Sequence, residues 1–301
     1  MKIDIHTHIT YLKFPEFRKY FKYEDFTAKT LLECMDEEGI DKSVILPISN
    51  PENVDIYGVT GNLETIEECR KHPDRFIPFC NIDPRSGLNT PKANLSDLMR
   101  IYKDLGCRGI GEICANIPIT DKRYKNLFYH AALEKMPLLF HFSGKRFGTY
   151  GAYDHLHLPG LEECLKEFPE TIFIGHSAAF WGEMAADFKY KERDGYPKTP
   201  VKKKGRLWEL LDKYPNLYAD LSAGSGWNAI TRDIENGVAF LTRFQKKIMF
   251  GTDRFGSRKD GLGKKIISMY DTLLQDGKIT KDVYDNITYK NFNRVIMGES
   301  K

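Results

Sequence analysis

The 301-residue sequence predicts a (β/α)8 TIM barrel with loop insertions at the C-terminal face, and three observations carry that expectation. Eight short apolar runs alternate with longer helix-like stretches, the pattern of a parallel sheet closed on itself. The chain exceeds the ~250 residues typical of such a barrel by enough for two insertions. No G-x-G-x-x-G follows the first run, so the rival fold, a doubly wound open sheet, has no phosphate-binding turn to support it. Residues 1–301 are read as a single domain of this kind.

The runs come in order. Lys2 to His6 alternates apolar and polar as a strand. Lys42 to Ile48 carries Val44, Ile45, Leu46 and Ile48, and Arg75 to Cys80 follows. Cys107 to Ile113 and Met136 to Phe142 are the fourth and fifth. Thr171 to Gly175, Leu217 to Leu221 and Lys247 to Phe250 complete the set. Between them lie helix-like stretches at Thr27–Gly39, Leu63–His72, Asn94–Leu105, Tyr124–Lys135, Leu158–Phe168, Leu207–Tyr214 and Asp233–Arg243. The first is amphipathic, with Leu31, Leu32 and Met35 opposite Glu33, Asp36 and Glu37. The insertions are Phe14–Phe26, aromatic and charged, and Glu183–Lys204, polar and rich in lysine. The second reads as a solvated loop or a partner-contact loop serving the site rather than a nucleic-acid patch.

Composition excludes several classes. Hydrophobic residues make up 41% and charged residues 29%, which is ordinary for a folded globular chain. The 45 basic and 42 acidic residues leave a net charge of +3, too balanced to point to nucleic acid or an anionic membrane as a partner. No apolar run approaches the ~20 residues of a membrane span. The amino-terminal residues lack an apolar leader, so no signal peptide is expected. The six cysteines, Cys34, Cys69, Cys80, Cys107, Cys114 and Cys164, form no C-x-x-C pair. They read as reduced thiols of a cytoplasmic protein.

Chemistry gathers at the ends of the runs. His6 and His8 stand two apart on a strand and share a face, half of a metal site. Glu112 sits near the end of the fourth run, His141 ends the fifth, His176 the sixth, and Asp253 follows the eighth. Each alone reads equally well as a turn residue or cap. Together, six residues of metal-ligand type lie at the C-terminal ends of five runs, where barrels build active sites. The expected cofactor is a divalent metal, one or two ions, with Zn²⁺ favoured and Mn²⁺ the alternative.

The ordered set resembles the amidohydrolase superfamily, in its amidohydrolase-related branch with the aminocarboxymuconate-semialdehyde decarboxylase and resorcylate decarboxylase relatives. The matching pieces are Asp4-Ile5-His6-Thr7-His8, His141, Phe168-Pro169 leading to Ile174-Gly175-His176-Ser177, Tyr214 to Ser222, Phe250-Gly251-Thr252-Asp253, and Asn291 to Val295. The resemblance implies metal ligation by His6, His8, His141 and Asp253. It implies that His176 acts on substrate in single-metal members and binds a second metal in two-metal members. Glu112 occupies the slot of a bridging ligand, a departure from the single-metal decarboxylases that keeps a binuclear site open. A TatD-like phosphoesterase is echoed by Gly111-Glu112-Ile113 and His141-Phe142-Ser143-Gly144, although the Tyr214–Ser222 segment fits that family less well. A PHP-type phosphoesterase would need a late D-x-H pair, and no histidine follows His176.

The expected activity is a metal-dependent hydrolase in which activated water attacks an amide, lactone or similar bond of a small molecule. Asp253 is the expected acid/base, and His176 the group that polarises a carbonyl or steadies an oxyanion. Asp4 shares parity with His6 and is read as structural or as orienting a ligand. The alternative is a non-oxidative decarboxylase of a small unsaturated or aromatic acid, which needs a cation for the carboxylate. Arg254 and Arg146 are the candidates. Phe147, Tyr150, Tyr153, Phe180 and Trp181 follow the fifth and sixth runs and are read either as pocket wall or as loop packing, and Ser222 as a substrate contact. A metal-binding protein without turnover is the third reading. Cys114 is read as a structural thiol, His155 and His157 as loop residues, and His72 and His130 as helical residues without a role. The partner expected is a small molecule, without nucleic acid or membrane, and a homodimer is left open.

Overall fold

The computed structural model describes residues 1–10, 25–53, 57–257 and 261–299. The Phe14–Phe26 insertion lies outside the described residues except at its end, Asp25 and Phe26.

All eight predicted runs are strands: β1 (Ile3–Thr7), β2 (Lys42–Ile45), β3 (Phe76–Pro78), β4 (Ile110–Ile113), β5 (Leu138–Ser143), β7 (Phe173–His176), β8 (Leu217–Leu221) and β9 (Ile248–Phe250). A short extra strand, β6 (Ala152–Tyr153), pairs with β5 in the loop above the barrel. Pairing is parallel throughout, in the orders β1-β2-β3 and β4-β5-β7-β8-β9. Single parallel bridges, Cys80 to Ile110 and Thr7 to Arg254, cross the two seams between these sheets. Backbone bonds support both, with Gly111 N donating to Cys80 O at 2.8 Å and Asp253 N donating to His6 O at 2.8 Å. The ring is therefore a TIM barrel with two narrow joints.

Its helices are cut where local chemistry dictates. The helix Ala28–Glu38 starts under Thr27, whose hydroxyl accepts from Thr30 N, and stops at Gly39 in the left-handed region (φ 64°). Asp121 caps Lys122–Glu134, and Asp233 caps Ile234–Arg243, in the same way. Two apolar layers hold the ring. Ile5, Val44, Leu46, Phe79, Leu139, Ile174 and Met249 come from six strands or their continuations and form one cluster. Side chains from so many strands meet only inside the ring. The larger cluster joins the opposite strand faces to the helices, for instance Phe140 and Phe173 against Phe128.

All six cysteines are buried and unpaired, as expected of reduced thiols. Among the described residues no helix is long and apolar enough to cross a membrane. The Glu183–Lys204 insertion is ordered around two short 3-10 turns and an antiparallel bridge from Ala185 to Lys204. It is pinned where Glu183 accepts from His157 N at 2.7 Å, with His157 Nδ1 at 3.0 Å from the other carboxylate oxygen.

Candidate metal centre

Strand register delivers the chemistry to one place. β5 and β7 pair His141 directly with His176. Across the β9–β1 seam, Asp253 follows β9 with φ 55°, and its amide is bonded to His6 O. A bulge between Asp4 and Thr7 breaks the alternation of β1. His6 Nε2 and His8 Nε2 lie 3.0 Å apart. Glu112 Oε2 is 3.7 Å from the first and 3.4 Å from the second, and Asp253 Oδ1 is 3.3 Å and 3.7 Å from them. His141 Nδ1 is 2.8 Å from Glu112 Oε1. His176 Nε2 is 3.9 Å from that same oxygen and 3.7 Å from Asp253 Oδ2. The six residues singled out in the sequence thus meet as three overlapping groups: His6, His8 and Glu112; His6, His176 and Asp253; and Glu112, His141 and His176. In each group the candidate ligand atoms lie within 4.8 Å of one another.

The outer bonds fix the rings. His8 Nδ1 lies 2.8 Å from Leu46 O, and a carbonyl only accepts, so Nδ1 carries the proton. His6 Nδ1 faces Asp220 Oδ2 at 2.6 Å, and His176 Nδ1 faces Ser222 Oγ at 2.9 Å and Asp220 Oδ2 at 3.3 Å. Ser222 Oγ in turn donates to Asp220 Oδ2 at 3.0 Å. This is the outer-shell arrangement that aims Nε2 at a metal. Gly251 lets β9 pass this close: a Cβ there would sit 2.7 Å from Asp220 Oδ1 and 3.2 Å from His6 Cβ.

The donor set fits a divalent cation. With both Nδ1 atoms turned to acceptors, the two Nε2 atoms bring lone pairs face to face at 3.0 Å. Such an approach needs a proton or a cation between them. Glu112, although buried, is held well below the usual carboxylate range by His6 and His141. Asp220, equally buried, is held at about 2 by His6 and His176. Burial works against a charge on His6, but Asp253, Asp220 and Glu112 overcome it and raise its pKa well above the ordinary value. A cation entering here meets ionised carboxylates and must displace that proton.

Above the ligand atoms a cavity of about 190 Å³ opens, lined by His8, Asn53, Glu112, His141 and Asp253 and walled by Tyr57, Tyr150 and Phe255. Tyr57 meets both Tyr150 and Phe255 edge-on at centroid distances of 5.7 Å.

Other expected contacts lie elsewhere. Arg254 is buried and bonded to Glu38 at the end of the first helix. Its charge is committed there, which corrects the expectation of a substrate-carboxylate ligand. Arg146 is exposed, its guanidinium 5.0 Å over the Phe147 ring. Trp181 is no pocket wall. It is buried against Phe180 and Phe240, and its indole N–H donates to Asp220 O at 3.0 Å. Ser222 is fully buried behind the imidazoles and contacts them rather than the cavity. Asp4 accepts from His6 N, Thr252 N and Thr252 Oγ1, so it fastens the β1–β9 seam instead of orienting a ring. Burial raises its carboxyl to about 7 despite those bonds.

Sequence reasoning missed Asp220, Asn53, Tyr57 and Phe255. Asp220 shares the face of Ser222 on β8, and that parity was the available signal. Asn53 and Phe255 come from irregular segments, where no period marks a face, and Tyr57, which is helical, lies outside every stretch that the sequence marks as a helix.

Comparison with known proteins agrees with this geometry. The model of the family described as Amidohydrolase matches residues 3–294. A TIM-barrel protein from Bordetella bronchiseptica, described as uncharacterized, is 16% identical with a TM-score of 0.66 over 98% of both chains. A probable 2-pyrone-4,6-dicarboxylic acid hydrolase from Acinetobacter baumannii is 12% identical, with a TM-score of 0.62 over 98% of this chain and 99% of that one. A dihydroxybenzoic acid decarboxylase from Polaromonas, with bound manganese, is 15% identical, with a TM-score of 0.57 over 99% of this chain and 98% of that one. No curated protein matches the chain.

Proposed function

From the premise that this chain belongs to the amidohydrolase family, we propose that it is a divalent-metal-dependent hydrolase of small molecules, acting on an amide, lactone or similar bond. The observation that carries the reading is the 3.0 Å approach of His6 and His8 Nε2 beside Glu112 and Asp253, each ring oriented from behind. His6, His8, His141 and Asp253 would hold the cation, with Glu112 and His176 completing a second position. A bound Zn²⁺ or Mn²⁺ would supply Lewis acidity there, and Zn²⁺ would bring the pKa of a water to ~7.

The chain's own groups do the rest. Asp253 is the ligand-type carboxylate most open to the cavity, with its side chain 29% exposed. It receives the nucleophile's proton and returns it to the leaving group. His176, held at Nδ1 by Ser222 and Asp220, keeps Nε2 aimed at the second position, where a cation shared with Glu112 would steady negative charge on a carbonyl oxygen. Tyr57, Tyr150 and Phe255 narrow the mouth and limit water.

The decarboxylase reading asks for a cation facing the substrate carboxylate. Neither arginine that the sequence offered reaches the described cavity, since Arg254 is bound to Glu38 and Arg146 stands over Phe147.

Metal analysis of the purified protein, with a substrate panel in added Zn²⁺ or Mn²⁺ followed for both bond hydrolysis and CO₂ release, tests the proposal. Two equivalents per chain, falling to one in Glu112→Ala, together with hydrolysis, are expected. One equivalent indifferent to that substitution, together with CO₂ release, would establish the decarboxylase instead. Full activity after metal stripping would end both.

A further inference from the structure

We infer that Asn116 is a positioning residue of this centre: it shapes the loop after β5 so that the ring of Tyr150 bears on His141 and holds that imidazole ready for the cation. The inference rests on the metal-dependent reading above and extends it to a side chain outside the ligand set.

The four imidazoles are not fixed alike. His6, His8 and His176 each turn Nδ1 to a partner behind the centre, at Asp220, Leu46 O and Ser222, and their side chains are at most 4% exposed. His141 turns Nδ1 to Glu112, itself a candidate ligand, and among the described residues makes no other hydrogen bond. Its side chain is 23% exposed. An imidazole without an outer hydrogen bond has nothing of that kind to set its angle. His141 has packing instead. The Tyr150 ring lies against it at a centroid distance of 4.7 Å, tilted by 52°, and the His176 ring stands at 5.5 Å. Gly151 brings the backbone equally close. It adopts φ 104°, and a Cβ there would sit 2.8 Å from His141 Cδ2.

One carboxamide holds the loop that presents Tyr150. Asn116 Nδ2 donates to Lys145 O and to Gly151 O, each at 3.0 Å, and Asn116 Oδ1 accepts from Phe147 N at 2.7 Å. Strand pairing holds the chain at Ser143 and again at Ala152, so these three bonds fall on the stretch between. Asn116 is itself buried and anchored, its backbone N–H donating to Glu52 Oε1 at 3.0 Å. Without the carboxamide, two carbonyls and one amide of the loop lose their partners. A loop free to take several shapes no longer keeps the Tyr150 ring on His141, and the imidazole must then be ordered when the cation binds, which weakens binding.

The test measures the Zn²⁺ affinity of the full chain by competition with a chelator and needs no substrate. Tyr150→Ala is expected to weaken binding about tenfold, the lower end of what losing outer support of a ligand costs, and Tyr150→Phe, which keeps the ring, to retain the wild-type value. Asn116→Ala is expected to weaken binding to the same degree. The double variant Asn116→Ala/Tyr150→Ala is expected to bind no more weakly than either single one, because both act through one contact. Additive losses, unchanged affinity in either single variant, or a Tyr150→Phe as weak as Tyr150→Ala overturns the inference. Thermal unfolding of the metal-free samples separates scaffold from positioning. A lower melting temperature in Asn116→Ala with zinc affinity intact would make Asn116 a scaffold residue alone and overturn the inference. Should Asn116→Ala not fold, Asn116→Ser takes its place under the same criteria. A wild-type chain that binds no zinc fails the metal-dependent reading and this inference with it, whereas one that binds zinc and is indifferent to both substitutions fails this inference alone.

Discussion

The two ends of the barrel bury the same kinds of side chain and treat them in opposite ways. At the amino-terminal end of the strands, Asn291 donates to Gln245 O and Ile248 O at 2.7 Å each, and its Oδ1 accepts from Arg294 at 2.8 Å. Asn216 donates to Phe168 O at 3.0 Å, and Lys247 Nζ to Tyr214 O at 2.5 Å. Polar groups there close off strand and helix ends. At the carboxyl-terminal end, Asp220 Oδ1 has no hydrogen-bond partner among the described residues, and two imidazole Nε2 atoms confront each other. Saturated polarity holds the ring together. Unsaturated polarity, bought by that rigidity, is what a metal and a substrate would complete.

The sharpest way to break this contrast is Asp220→Asn. Asp220 touches no cavity, yet it meets His6 Nδ1 at 2.6 Å and His176 Nδ1 at 3.3 Å. Metal affinity is expected to fall about 10–100-fold, the usual effect of losing an outer-shell carboxylate, with catalysis falling alongside it. The pH dependence of the metal-free protein carries the same signature. The native pKa of Asp220 is about 2 against an ordinary 3.8, so its contribution to stability is present above 3.8 and is lost as pH falls toward 2. Acid unfolding of the metal-free variant is expected to lose part of its slope in that window. Unchanged zinc affinity by competition with a chelator would make Asp220 a mere packing residue.

At the opposite end, Asn291→Ala removes two donors from backbone carbonyls and the acceptor of Arg294. Stability in urea is expected to drop by about 1–3 kcal/mol, with metal stoichiometry and affinity untouched. A loss of zinc without a loss of stability would show that the two ends are not separable.

The ring and the six ligand-type residues were legible because both obey a period. Apolar runs of four to seven residues mark strands, and each ligand-type residue sits at or near the end of its strand, as His141 and His176 do in adjacent register. Asp253 was legible for the same reason, at the end of the last strand. Its neighbour Arg254 was misjudged because proximity in sequence was taken for proximity in space. The backbone turns at Asp253 (φ 55°), beyond the end of β9, so strand parity no longer assigns a face there, and the guanidinium ends at Glu38. For Trp181 the sequence left wall and packing equally open, and the side chain is packed. The aromatic cluster after the seventh strand packs under the loop, and nothing in Phe180-Trp181 distinguishes a wall from a core. The partners of a side chain such as Asp220 depend on which strands lie side by side, which only closure of the ring determines.

The smallest expected effect sharpens the same distinction between a residue near the mouth in sequence and one in it. Arg146 follows β5 as closely as Arg254 follows β9, but it is exposed, with its cation over Phe147, itself 76% exposed. A cation–π contact so open to water contributes little. Arg146→Ala is expected to change the hydrolysis rate and KM by less than about twofold and to leave zinc content unchanged, as surface substitutions away from special features do. A large rise in KM for an anionic substrate, with kcat preserved, would mean that the loop after β5 folds inward once substrate is present. The cation that the decarboxylase reading requires would then come from this loop, and the balance between the two reactions would shift accordingly.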